Sequence, residues 1–181
     1  MGARATLIYL LRHGEVVLAE TRRFIGHLDV PLGARGERQS RAQAGRLAGA
    51  KLAAVFTSDL ARARRTAEII ASPHGLTPTV IPQLREMAMG RWEGRTAAEI
   101  QESDPTAFAE WMARIGEFPF PEGESVPDLR ARAWPAFEAS PRTRGSPSPS
   151  SPTAGRIARC SAPRSGSSFA GSSPSVRTTV R

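Results

Sequence analysis

Thr6–Leu11 reads TLIYLL, a continuous apolar run with β-branched and aromatic members, and Arg12, His13 and Gly14 follow it directly. A strand that faces water on one side alternates apolar and polar residues. One without a polar position reads as buried on both faces, the signature of a strand inside a parallel sheet. Such a sheet needs helical crossovers, so the rest of the chain has to supply helices between further strands.

It does so as far as residue 140. Gln39–Leu47 is composed of good helix formers, and LAAVFTSD (Leu52–Asp59) is a second buried strand. Asp59 is a candidate cap for a helix whose apolar face is Leu60, Ala63, Ala67 and Ile70. SPHGLTP closes that helix, and Thr79–Ile81 is a short third strand. Phe108, Trp111, Met112 and Ile115 fall on one face of a helix over Thr106–Ile115, with Asp104-Pro105 as its start signal. A last helix begins at Pro127, and Pro135 is expected to kink or shorten it. The fold class is α/β: a three-layer sandwich, mostly parallel sheet, with helices on both faces.

Charge divides the chain at the same place. Residues 1–140 have a net charge of +1, whereas residues 141–181 hold seven Arg and no acid. The tail also carries 11 Ser and six Pro, and SPSPSSP is low complexity. The expected division is therefore an incomplete α/β domain over residues 1–140 and a disordered basic Ser/Pro/Arg tail over 141–181. Clustered Arg with one aromatic, Phe169, is a weak nucleic-acid signal without a stacking surface. The single Cys, Cys160, excludes a disulfide within the chain and fits a reducing cytoplasm. The apolar run at the amino terminus is too short for a signal-peptide core or a membrane span, so no membrane partner is expected. MGARAT matches a myristoylation pattern only loosely.

Arg12 and His13 stand where the first strand ends, the side on which open α/β sheets bind ligands. Arg offers a planar fork to phosphate oxygens, Gly14 lets backbone approach closely, and a neutral imidazole is a competent nucleophile toward phosphorus. Arg-His-Gly alone is equally a surface turn. It is followed in order by RRFIGHLDVPLGARG, TSDLARARRTAEII, LREMAMGRWEG and GES. Together these resemble the histidine phosphatase superfamily, which includes the cofactor-dependent phosphoglycerate mutases, over about residues 5–138.

The resemblance implies a role for each matching position. His13 corresponds to the nucleophile that becomes phosphohistidine, and Arg12 to its phosphate-binding neighbour. Arg62 corresponds to a second phosphate-clamping Arg, Glu86 to the general acid, and Gly26 to a position whose backbone amide lies near the phosphate. No metal or other cofactor is implied. Read without the family, Arg62 belongs to a cluster with Arg64 and Arg65 that suits a solvated helix face. Glu86, likewise, could pair with Arg85 or Arg91. Arg23, His27 and Trp92 are candidates for the substrate pocket, with Trp92 equally readable as core.

One family element is missing. The family ends on a buried strand followed by a second catalytic His, and no His follows His74 here. The protein has 24 Arg and one Lys, which suggests a G+C-rich gene. Back-translated accordingly and read from the third base of each codon, Pro147–Gly155 becomes Val-Ala-Val-Val-Ala-His-Gly-Gly. That is an apolar strand followed by His-Gly. The reading is a frameshift near Ala139–Ser140, with the native carboxyl-terminal strand and helix missing. Loss of that strand implies unpaired backbone groups in the sheet, marginal stability and reduced turnover.

Three functions compete. The first is a phosphomonoesterase acting through phosphohistidine on a small phosphorylated metabolite. The short span between WEG and GES favours it, and the motifs are most similar to α-ribazole phosphatase-like members of the cobalamin pathway. The second is a phosphoglycerate mutase, against which stands Ala19 where mutases carry Asn. The third is a non-catalytic phosphate-binding pseudoenzyme, favoured by the missing His.

Overall fold

The computed structural model describes residues 7–140 in full and, beyond them, the backbone of Arg156–Cys160 and Arg177–Thr178. Five strands form one sheet: β1 (Ile8–Leu11), β2 (Leu52–Thr57), β3 (Thr79–Val80), β4 (Arg156–Cys160) and β5 (Arg177–Thr178). Their order is β3-β2-β4-β1-β5. The β1–β4, β2–β4 and β2–β3 pairs are parallel, and β5 lies antiparallel to β1 at the edge. The α-helices among the described residues are α1 (Ala34–Leu47), α2 (Ala61–Ala71), α3 (Ala97–Ser103), α4 (Pro105–Ala113) and α5 (Val126–Ala139).

The pleat of β2 distributes the core between two layers. Val55 packs with Ala67 and Ala71 of α2, while Tyr9 and Leu11 of β1 meet Ala44 and Leu47 of α1 and Ile70 of α2. Ala54 and Phe56 point the other way, toward Leu84, Ile81 and Ala136 of α5. Helices thus lie on both faces, as the sequence leads one to expect. The expected burial of β1 on both faces is not met, since Leu10 is 53% exposed. Its neighbours Tyr9 and Leu11 take the cover of α1 and α2, whereas α5 meets the opposite face at β2.

Several boundaries differ from the sequence reading, each for a local reason. The first helix starts at Ala34, five residues before the expected Gln39, with Gly33 as its extended cap. Asp59 does not cap α2: it is drawn into an ion pair with Arg85. The Ala61 amide instead donates to Asp29 Oδ1 at 2.7 Å. The expected apolar face of Leu60, Ala63, Ala67 and Ile70 is buried. Helix α3 was not anticipated, although Thr96 and Glu99 form a reciprocal capping box at its start. Asp104 then caps α4, as expected, by accepting from the Ala107 amide at 3.1 Å. That helix stops at Ala113, which leaves Met112 55% and Ile115 36% exposed. Pro135 does not end α5, which continues to Ala139. Pro135 and Ala131, whose carbonyl loses its helical donor, are both exposed, so water can satisfy it.

The largest correction concerns the sheet centre. On the sequence reading, the missing native strand beside β1 implies unpaired backbone groups there, with a Ser/Pro-rich tail as a poor replacement. Arg156–Cys160 fills that place, between β1 and β2, and contains no proline. Cys160 is level with Leu11 and with Thr57, so β4 ends where β1 delivers Arg12. The expected disorder of the rest of the 141–181 tail, and its proposed frameshifted His-Gly, lie outside the described residues.

Candidate active site

The site begins where β1 stops. Gly14 is buried against the start of α1, and a Cβ placed on it would collide with the Gly36 carbonyl. Glycine at 14 and 36 therefore lets two backbone segments touch. The turn is tied to both helices. Gly33 N–H donates to Glu15 O at 2.9 Å, and Gly14 N–H donates to Thr66 Oγ1 at 3.4 Å. Thr66 in turn donates to the Arg62 carbonyl at 2.9 Å and contacts Ser40 Oγ at 3.2 Å. A buried pair of hydroxyls thus couples the residue after His13 to the helix turn that carries Arg62.

His13 Nδ1 lies 2.7 Å from Gly14 O, which can only accept, so Nδ1 carries the proton. Nε2 then has a free lone pair and accepts from Arg62 Nε at 3.3 Å. Burial, with help from Arg62 and Arg12, lowers the His13 pKa to about 4 despite the Gly14 hydrogen bond. The ring is a neutral base at pH 7.

Arg62 is 2% exposed, which removes the solvated-face reading that Arg64 and Arg65 suggested. Besides His13, it donates from Nη2 to Gly26 O at 2.6 Å and from Nη1 to Leu28 O at 2.8 Å. Burial lowers its pKa, opposed by Glu86, Asp29 and Glu93. Arg12 is exposed, and its charge acts on both His13 and Glu86.

Glu86 has neither of the ion pairs the sequence left open: Arg85 binds Asp59, and Arg91 binds Glu122. Its Oε1 accepts from the Met87 amide at 3.0 Å. Burial raises its pKa, outweighing that hydrogen bond and the charges of Arg62, Arg12 and Arg132. The geometry therefore gathers His13, Arg12, Arg62 and Glu86: a buried neutral imidazole, two guanidiniums and a carboxyl biased toward its protonated form.

Gly26 joins them through its carbonyl on Arg62 and adopts φ +50°, a conformation suited to glycine. His27 follows, with Nε2 2.7 Å from Glu86 O and its amide donating to Glu93 Oε1 at 2.7 Å. Glu93 Oε1 also accepts from Met89 N at 3.0 Å. Sequence reasoning passed over Glu93. Its signal was the WEG motif, already quoted but with no role given to the acid.

Two proposed pocket residues do not reach this group. Trp92 is 1% exposed, with Phe24, Phe118, Phe120 and Trp111 at centroid distances of 5.2–5.7 Å. It is the centre of a second, aromatic core and presents no surface to a ligand. Arg23 donates to Gly94 O at 2.6 Å and pairs with Glu99 at 3.1 Å, so its guanidinium is directed at the α3 start.

Comparison with known proteins bears on this arrangement. Residues 8–146 match the family model of the histidine phosphatase superfamily, branch 1. "Probable phosphoglycerate mutase GpmB" of Serratia proteamaculans is 37% identical over 132 residues, covering 73% of this chain and 61% of its own length. The chain thus spans about three fifths of the length of the curated relatives it matches. Among solved structures, a candidate α-ribazole-5′-phosphate phosphatase of Escherichia coli K-12 superposes with TM-score 0.76 at 26% identity, over 87% of this chain and 74% of that one. Mycobacterial glucosyl-3-phosphoglycerate phosphatase Rv2419c gives TM-score 0.72 at 29% identity, over 87% and 74%. No helix among the described residues is long and apolar enough to cross a membrane. The ordered motifs, the architecture and these matches agree: the chain belongs to the histidine phosphatase superfamily, branch 1.

Proposed function

We propose that the protein is a phosphomonoester hydrolase that works through a phosphohistidine at His13 on a small phosphorylated metabolite. His13 Nε2 attacks phosphorus, and the P–O bond to the leaving alcohol breaks. Glu86, protonated, gives its proton to the departing oxygen. Water then attacks the phosphohistidine while the Glu86 carboxylate takes a proton from it, which releases phosphate and restores both groups. Arg12 and Arg62 oppose the charge carried by the phosphoryl oxygens in flight, and Gly26 shapes the loop beside them. His27 borders the site through its contact with Glu86.

One observation carries this reading: the lone pair of His13 lies on Nε2, beside Arg62, because Nδ1 donates to Gly14 O. The test is hydrolysis of p-nitrophenyl phosphate by the chain and by His13→Ala. Loss of turnover in the variant, with a phosphohistidine trapped in the parent, is expected. Equal rates would exclude His13 as the nucleophile, and a parent that binds phosphate without turning over would leave the pseudoenzyme reading instead.

For the substrate, the likeness to the E. coli candidate α-ribazole-5′-phosphate phosphatase makes α-ribazole 5′-phosphate the first compound to assay, with a cytoplasmic place in cobalamin synthesis as its corollary. The name of the Serratia relative favours a second reading, phosphoglycerate mutase. Transfer between phosphoglycerate positions that depends on added bisphosphoglycerate would establish it.

A further inference from the structure

Resting on the proposed role of Glu86, we infer that Arg132 of α5, together with Glu124, is a positioning residue that holds the Glu86 loop against the phosphoryl site. Nothing in the sequence motifs assigns either residue a part in the chemistry.

The contacts converge on Arg85, Glu86 and Ala88 of the loop and on Gln83 just before it. Arg132 donates from Nη2 to Glu86 O at 3.2 Å, and from Nη1 to Gln83 O at 2.7 Å and to Arg85 O at 3.4 Å. Its Nε and Nη2 also grip the Glu124 carboxylate, at 2.7 Å each. Glu124 Oε2 accepts from the Ala88 amide at 2.9 Å, which closes a ring around Glu86. The Glu86 carbonyl takes a further donor, His27 Nε2, at 2.7 Å. The Arg132 and Glu124 side chains are 23% and 19% exposed, so the pair is shielded from full solvent screening.

The geometry explains why a lysine would not serve. Five guanidinium N–H groups in a fixed plane can hold three carbonyls and a carboxylate together, whereas an ammonium has three donors and no plane. Without the ring, the Glu86 residue keeps the His27 contact to its carbonyl, and its carboxyl keeps the Met87 amide hydrogen bond. A general acid that drifts by an ångström loses alignment with the leaving oxygen, and rate with it.

Leaving-group dependence separates positioning from general damage. p-Nitrophenolate departs without needing a proton, whereas the alkoxide of glycerol 2-phosphate needs one. For Arg132→Ala and for the milder Glu124→Gln, kcat/KM on glycerol 2-phosphate, which reports transfer to His13 and not the later hydrolysis, should fall by about 10²-fold, the low end of general-acid contributions. On p-nitrophenyl phosphate kcat/KM should stay within about threefold. Arg132→Lys should remain impaired. Glu86→Gln should show the same selectivity in kcat/KM, while its kcat falls on both substrates because the water-activating base is lost, and combining it with Arg132→Ala should add nothing further to the kcat/KM loss.

Amide hydrogen exchange provides a readout independent of turnover. Exchange at Met87 and Ala88 should quicken in both variants while α2 amides keep the parental rate. Parallel loss on both substrates, or unchanged exchange at Met87 and Ala88, overturns the inference. A parent without His13-dependent turnover overturns the proposed function, and exchange then decides alone whether Arg132 holds the loop.

Discussion

Arg62 Nε and His13 Nε2 lie 3.3 Å apart, and the two terminal nitrogens of the same guanidinium are anchored on the carbonyls of Gly26 and Leu28. One buried cation thus aims at the imidazole and ties the Gly26 loop to α2. Arg62→Lys should lower kcat on p-nitrophenyl phosphate by about 10²–10³-fold, the scale for loss of one transition-state donor. It should also cost about 1–3 kcal/mol of stability, because buried carbonyls lose their donors. Steady-state kinetics and urea melts measure the two effects separately.

The rate should show a bell-shaped dependence on pH with an acid-side optimum. His13 must be neutral to attack, and its pKa is lowered to about 4, so the rising limb lies near 4 instead of 6.5. Glu86 must be protonated, and burial raises its pKa above that of a free carboxyl, so the falling limb lies above 4.5. The falling limb should appear in kcat/KM for glycerol 2-phosphate and be absent for p-nitrophenyl phosphate, whose leaving group needs no proton. A profile that rises through pH 6.5 with an ordinary imidazole titration would contradict the burial of His13.

The same imidazole links stability to pH. Its folded pKa is depressed, so the folded state refuses a proton that the unfolded chain accepts below 6.5. Stability should fall as pH drops from 6.5 through about 4. His13→Asn should weaken this dependence in melts taken over that window.

Gly14→Ala should destabilise the domain by about 1–3 kcal/mol, the usual cost of overpacking. The added methyl meets the backbone carbonyl of Gly36, which has no side-chain freedom with which to yield. Gly45→Ala is the control: nothing lies within 4 Å of its added Cβ, and it should be neutral or stabilising. Thermal melts of the two variants make the comparison.

The coding DNA tests the carboxyl-terminal reading. Ser148, Ser150 and Ser151 should use TCN codons, and AGC or AGT there would rule the frameshift out. Restoring the frame should place His-Gly after the central strand and raise kcat on p-nitrophenyl phosphate by about 10²-fold or more. An unchanged rate would mean that the second imidazole is not needed here.

The ordered motifs marked His13, Arg12, Arg62 and Glu86 through their resemblance to the family, whereas chemical type alone left Arg62 on a solvated face and Glu86 in an ion pair. They also marked the α/β alternation, since continuous apolar strand runs and a period-3.6 helical face are written locally in the first half of the chain. What they could not specify were relations between segments distant in the chain. Whether Arg62 is a surface or a buried cation depends on carbonyls 34 and 36 residues away. Trp92 became core and not pocket because four aromatics from three segments close around it. Arg23 turned to Glu99, Asp59 to Arg85, and Arg132 to the Glu86 loop, in each case through a partner that no local pattern announces. The β4 slot follows the same logic: a central strand position is defined by the ladders of β1 and β2, and the proline-free Arg156–Cys160 pairs with both. Local sequence sets which groups are available for chemistry, and long-range packing decides which of them meet, because burial and partner choice are properties of the assembled surface and not of any one segment.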